Sequence, residues 1–174
     1  MLSVRNIVFL AVAVTGSVIR RDAAQVKSDL QLINADTQAV TAAVNNYNGG
    51  GYANALPIVG AQSKLSDDIK AATDHAKAAG GLSEADADAI VGYIRDTLQP
   101  SIQASLSALK SKRDKFAGDG LSPIVKSSLG SLKMDTDNLS AALVAGTPPS
   151  RVSEAKAVSD AIDASFDDAI AYFS

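Results

Sequence analysis

Apolar residues recur in alternating steps of four and three through most of this chain, in five separate runs, and that period suits only one regular structure. Between Asp22 and Tyr47 the run is Val26, Leu30, Ile33, Thr37, Val40 and Val44. A helix turns once in about 3.6 residues, so all six lie on one face. The second run is Ile58, Gln62, Leu65, Ile69, Ala72 and Ala76. The third passes through Ala87, Ile90 or Val91, Ile94 and Leu98, then resumes beyond Pro100 as Ile102, Leu106, Leu109, Arg113 and Phe116. The fourth is Val125, Leu129, Leu132, Thr136, Leu139 and Leu143, and the fifth is Val152, Ala155, Ser159, Ile162, Phe166, Ile170 or Ala169, and Phe173. Nowhere do residues alternate with the period of two that a half-buried strand requires.

The breaks between runs carry turn chemistry. Gly49–Gly51, Gly80-Gly81, Gly118 with Gly120, and Gly146 followed by Pro148-Pro149 separate the five runs. Gly is a poor helix former, and Pro cannot continue a helix. Ser83, Ser122 and Ser150 precede runs and fit helix N-caps, while Pro57 and Pro123 fit first turns, where a missing N–H is no loss. Pro100 interrupts the third run without a loop-like spacer, so a kinked helix is expected there. The predicted fold is all-α: an up-and-down bundle of five long amphipathic helices, the third kinked near Pro100, with short loops joining antiparallel neighbours.

Residues 1–21 stand apart from this pattern. Arg5 precedes the apolar run Ile7–Val14, and Thr15, Gly16 and Ser17 are small. That is the layout of a secretory signal peptide over 1–17, too short to serve as a membrane-spanning helix. Arg20-Arg21 resembles a dibasic processing site, so 18–21 reads as a short pro-segment and 22–174 as a single helical domain. Its removal leaves thirteen basic against nineteen acidic residues, a net charge of −6. Such a balance argues against nucleic acid as a partner. No stalk or hydrophobic tail follows the fifth run, so a freely secreted form is expected, without a transmembrane anchor.

Composition narrows the chemistry. The chain has no Cys, so disulfides, thiolate nucleophiles and cysteine-ligated metals are excluded, and its single His, His75, excludes a two-histidine site within one chain. Asp86 with Asp88 and Asp167-Asp168 lack the glycine and glutamate that a calcium loop needs. Nothing selects a catalytic serine, and no cofactor or catalytic residue is expected. The chain has 31 Ala but neither Cys nor Trp, and only 5% aromatic residues. A core of medium aliphatic residues on long helices can leave an elongated cavity, or it can close into a tight Ala-rich bundle. The runs also place polar residues at inward positions: Thr37, Gln62, Arg113, Thr136 and Ser159. Threonine and serine can return a hydroxyl to the backbone, and Arg113 near a helix end can extend to solvent. A buried Gln62 amide needs partners and could meet a polar headgroup. The candidate ligand-binding set is therefore Gln62, Thr37, Thr136 and Ser159 for polar contact, with Leu65, Ile69, Leu106, Leu132 and Phe166 for the apolar wall. Asn138-Leu139-Ser140 is a formal glycosylation sequon, making Asn138 a candidate glycan site.

Arg21-Asp22, Leu56-Pro57, Leu82-Ser83-Glu84-Ala85-Asp86, Leu121-Ser122 and Phe166-Asp167-Asp168-Ala169-Ile170 come in an order and spacing that resembles the fungal hydrophobic surface binding protein A family. That family includes the lipid-binding domains of Mp1-type cell-wall galactomannoproteins. The resemblance covers about residues 18–174. It implies a secreted, non-enzymatic helical bundle, extracellular or associated with the cell wall; a monomer is expected. Such a protein holds a fatty acid or other apolar ligand in a central cavity, or adsorbs to a hydrophobic surface and recruits a secreted cutinase-type esterase. A third reading is a structural wall protein with a solid core. The resemblance assigns no ligand residue, so the candidate set above rests on the runs alone.

Overall fold

A computed structural model describes the backbone of residues 15–174 and the side chains of residues 22–174. The expected signal peptide and pro-segment fall outside the fully described residues. Among those described, the structure is all-helical with no strand. Its elements are α1 (Thr15–Asn46), α2 (Tyr52–Ala79), α3 (Glu84–Tyr93), a π-turn (Ile94–Leu98), α4 (Gln99–Ser111), α5 (Arg113–Gly118), α6 (Ser122–Gly146) and α7 (Val152–Tyr172). The backbone stays in the α region from Tyr93 through Gln99, so α3, the π-turn and α4 form one rod. With α5 standing alone, the described residues hold six helices where five were expected.

What marks the surroundings of Pro100 is a change of hydrogen-bond pattern. The Gln99 N–H donates to the Ile94 carbonyl, five residues back, immediately before the proline that has no N–H to give. Two other boundaries also differ from expectation. α2 starts at Tyr52, so Pro57 lies inside it rather than at its first turn. Ser122 is the first residue of α6 and Ser150 precedes α7 by two, and neither caps a helix with its side chain. Ser83 does cap: its Oγ accepts from the Asp86 N–H at 3.2 Å and donates to the Asp86 carboxylate at 2.6 Å.

The rods form a closed ring in the order α1, α2, α6, α7 and α4, back to α1. Chain direction alternates along the sequence, yet only α1–α2 and α6–α7 are antiparallel neighbours. Arg95 pairs with Glu154 and Lys110 with Asp168, so α3–α4 and α7 run the same way. Ser66 bonds Asp135 while the two helices also meet at Gly80 and Gly146, so α2 and α6 are parallel as well. Antiparallel neighbours throughout would have needed each loop to join adjacent rods. Instead, the segment after Gly80 crosses the end of α6, with the Leu82 N–H donating to the Gly146 carbonyl at 2.8 Å. A Cβ on Gly146 would lie 2.5 Å from the Gly80 carbonyl oxygen, so this crossing requires glycine.

The inward faces are those of the runs. Val26, Leu30, Ile33, Val40 and Val44 of α1 are buried, as are Leu65, Ile69, Ala72 and Ala76 of α2. One end of the ring is closed by rings of another kind: Tyr47 stacks on Phe116 at 4.7 Å, and Phe173 meets Phe116 edge-on at 6.3 Å. Arg113 points away from the core, with its guanidinium 5.1 Å from the Tyr172 ring centre.

Candidate functional site

Five rods packed in a ring by Leu, Ile, Val and Ala do not fill the axis. Three apolar spaces follow one another along it. The central one, of about 70 Å³, lies between α1, α2, the π-turn, α4, α6 and α7. A second, of about 60 Å³, lies toward the aromatic-closed end, between the first halves of α2 and α6. A third, of about 30 Å³, lies toward the other end, between α3, α6 and α7. Val40, Leu109, Leu129 and Leu132 border both the first two spaces. Ile94, Ser140, Leu143 and Ile162 border both the central and the third. The shared walls make one apolar line of small spaces along the bundle axis.

Most of the candidate set meets there. Thr37, Leu65, Ile69, Leu106, Leu132, Thr136 and Phe166 all line the central space. Gln62 lines the space at the aromatic-closed end, and Ser159 lines the third space, so these two are separated from the rest. Asn138 is exposed on α6. His75 is on the surface, its Nδ1 2.8 Å from Asp29.

The runs missed several lining residues. Ser105 is buried in the central wall, although it sits three residues after Ile102 and four before Leu109. That spacing could have flagged it, but Leu106 beside it drew the stripe. Ser140 is four residues after Thr136 and borders two spaces. Tyr52, Val59 and Ile124, which line the second space, lie at the start of α2 or outside the stripes.

The polar inventory of the line is small. No charged side chain borders any of the three spaces. Thr37 Oγ1 donates to the Ile33 carbonyl and Thr136 Oγ1 to the Leu132 carbonyl, each at 2.8 Å, so their hydroxyl hydrogens are already used. Among the described residues, the Ser105, Ser128, Ser140 and Ser159 hydroxyls, the Tyr52 phenol and the Gln62 amide make no hydrogen bond. These are the groups left to meet a polar headgroup.

Charges sit on the outside of the ring and pin it. Lys64 Nζ donates to both Asp36 oxygens at 2.8 and 2.9 Å and to Asp68 at 2.7 Å, tying α1 to α2. Burial raises the Asp36 pKa above the ordinary carboxylate value, with the Asp68 carboxyl beside it adding to this and Lys64 opposing it. Ser66 Oγ donates to the buried Asp135 at 2.5 Å, tying α2 to α6. At the aromatic end, Tyr47 donates to Asp119, and burial together with that carboxylate pushes the phenol up to about 12. The same phenol, with the Gly51 and Gly50 N–H groups, holds the Asp119 pKa below its ordinary value. Gly49, Gly50 and Gly51 all have positive φ, which lets the loop wrap this carboxylate.

Comparison with known proteins agrees with this architecture. A family model described as hydrophobic surface binding protein A matches residues 23–145. The cell wall mannoprotein 1 of Aspergillus fumigatus is 30% identical over 118 residues, which is 68% of this chain and 40% of that protein, so the chain spans well under half its curated relative. The crystal structure of AFMP4P in complex with palmitic acid superposes with a TM-score of 0.84 at 34% identity, over 87% of this chain and 99% of that one. Ligand binding domain 1 of the Penicillium marneffei MP1 protein, complexed with arachidonic acids, superposes with a TM-score of 0.79 over 85% of this chain and 95% of that one; at 22% identity it speaks to the fold.

Proposed function

Because the chain belongs to the hydrophobic surface binding protein A family, we propose that it is a non-enzymatic carrier of a long-chain fatty acid or similar lipid. The observation that carries this reading is the uncharged apolar line along the bundle axis, with seven of the nine candidate residues on its central wall. The acyl chain lies along that line, where burial of apolar surface at about 25 cal/mol per Å² supplies most of the affinity. The headgroup meets Gln62 or the free serine hydroxyls. The palmitic acid held by AFMP4P, a structure similar to this chain over nearly its full length, supports the ligand class. The line of cavities favours a carrier over a structural protein with a solid core.

The protein acts outside the cell as a monomer, after loss of residues 1–17 and of 18–21, and Asn138 carries a glycan. The wall location in the name of its Aspergillus relative is consistent with this. A second reading, an adaptor that adsorbs to a hydrophobic surface and recruits a secreted cutinase-type esterase, draws on the exposed Leu32, Leu56 and Met134. Stronger retention on hydrophobic beads than a control helical bundle would favour that reading, and equal retention would count against it.

Native mass spectrometry of the purified domain, before and after addition of palmitate, tests the carrier reading. A bound species of one or more fatty acid masses, with a rise in melting temperature on addition, is the expected result. No adduct and no thermal shift with any long-chain fatty acid would refute it.

A further inference from the structure

Charge is distributed unevenly along the bundle axis. Residues 37–63, which comprise the second part of α1, the glycine loop and the first half of α2, contain no Asp, Glu, Lys, Arg or His. Residues 120–132, the first half of α6, contain one charged residue, Lys126. The cavity at the aromatic-closed end opens between these two stretches. Tyr52 and Ile124 on its lip are 51% and 45% exposed, and Leu56, one turn beyond Tyr52, is 51% exposed. Isolated exposed apolar residues are ordinary, but three grouped around an apolar opening with almost no charge among them are not.

The collar of this end is cationic. Lys112, Arg113, Lys115 and Lys126 lie there, and among the described residues none has a carboxylate within salt-bridge distance. Lys112 Nζ donates to the Asn45 and Tyr47 carbonyls at 2.8 Å each, Lys115 Nζ donates to Asn48 Oδ1 at 2.8 Å, and Arg113 lies over Tyr172. The contacts of Lys112 and Lys115 hold these two cations beside the glycine loop without neutralising them. Of the nearby acids, Asp168 is paired with Lys110, while Asp114 and Asp119, whose partner is the neutral Tyr47 phenol, keep their negative charge, so the four cations outnumber these two carboxylates. The opposite end has the reverse balance, with Glu84, Asp86, Asp88 and Glu154 gathered around Arg151 and Arg95.

We infer that this end of the bundle is a docking face for an anionic lipid surface, through which the ligand passes between that surface and the cavity. Tyr52, Leu56 and Ile124 enter the headgroup layer, and Lys112, Arg113, Lys115 and Lys126 face its negative charge. Amphipathic anchoring of this kind combines apolar insertion with attraction of a basic collar to anionic lipid. A fluid surface suits the feature because it needs no shape complementarity to three exposed apolar side chains around an opening. Docking mouth-first also spares the acyl chain a passage through water, which is the main barrier to its transfer. The inference rests on the carrier reading.

Stopped-flow transfer of a fluorescent fatty acid from the loaded protein to vesicles tests it, using pure phosphatidylcholine or an equimolar mixture with phosphatidylglycerol. The transfer rate should rise in proportion to vesicle concentration and be about tenfold faster to the anionic mixture, with the difference shrinking at high salt. Leu56→Glu, at a residue outside the cavity wall, should slow transfer about tenfold while leaving affinity in solution within about twofold. Arg113→Gln with Lys126→Gln, both at exposed positions, should abolish the preference for anionic vesicles. Uptake of the fatty acid with a rate indifferent to vesicle concentration, or variants that match the parent, would overturn this inference alone. Failure to take up the fatty acid at all would overturn the carrier reading and this inference with it.

Discussion

Leu132 borders both the space at the aromatic-closed end and the central space and is buried between them, so Leu132→Trp fills the line where the two meet. In a solid core, the larger ring would strain the packing and destabilise the fold by about 1–3 kcal/mol. With open space on both sides, the indole has somewhere to go, and the unliganded fold should keep its stability to within about 1 kcal/mol. The ligand is affected instead. A plug that denies about four methylenes their apolar contacts, at about 0.8 kcal/mol each, removes about 3 kcal/mol, or about a hundredfold in Kd. Leu132→Ala is the matched control. It should destabilise the fold by about 2–5 kcal/mol while leaving room for the chain. Urea unfolding gives the stabilities, and titration calorimetry with palmitate gives the affinities. A Trp variant that binds palmitate as tightly as the parent would refute the axial placement of the acyl chain. A Trp variant destabilised as a solid core would be, with unchanged binding, would refute the cavity itself.

Three further outcomes are expected. Gln62→Leu should weaken binding of a fatty acid about tenfold and leave its methyl ester unaffected, since a hydrogen bond to a charged group contributes roughly 1.5–3 kcal/mol; equal loss for both ligands in parallel titrations would place the headgroup elsewhere. Asp119 has a folded pKa below its ordinary value, so its contribution is present above about pH 4 and is lost as pH falls through the lowered value; Asp119→Asn should flatten the fall of the urea midpoint below pH 4, and an unchanged profile would contradict the assignment. Gly146→Ala should destabilise the fold by about 1–3 kcal/mol in the same unfolding assay, because its Cβ meets the Gly80 carbonyl rather than a movable side chain; a neutral outcome would show that the crossing is loose.

Helix period recorded which face of each rod turns inward, and so Thr37, Leu65, Ile69, Leu106, Leu132, Thr136 and Phe166 were legible as one inner surface. Period does not record what stands opposite a face or how far away. The distance between faces makes the cavity, and that was not legible. Nor was the ring order, because the crossing after Gly80 depends on a contact with Gly146, sixty-six positions on. Gln62 and Ser159 sit at inward register but at opposite ends of the bundle, and register alone does not give height along an axis. The π-turn left no mark on the spacing from Leu98 to Ile102, since it changes the hydrogen bonds just before Pro100 and keeps both residues buried. The buried Asp36 and Asp135 were missed because each is one step beside a stripe residue and owes its burial to a partner on another helix.

The most direct test of the account is the position of a bound chain. A crystal structure of the domain with a palmitate brominated near its methyl end locates that end by anomalous scattering. The account predicts a bromine peak inside the ring, within about 4 Å of Leu106, Leu132 or Phe166. A peak on the outer surface instead, under conditions where the protein binds the ligand in solution, would contradict it.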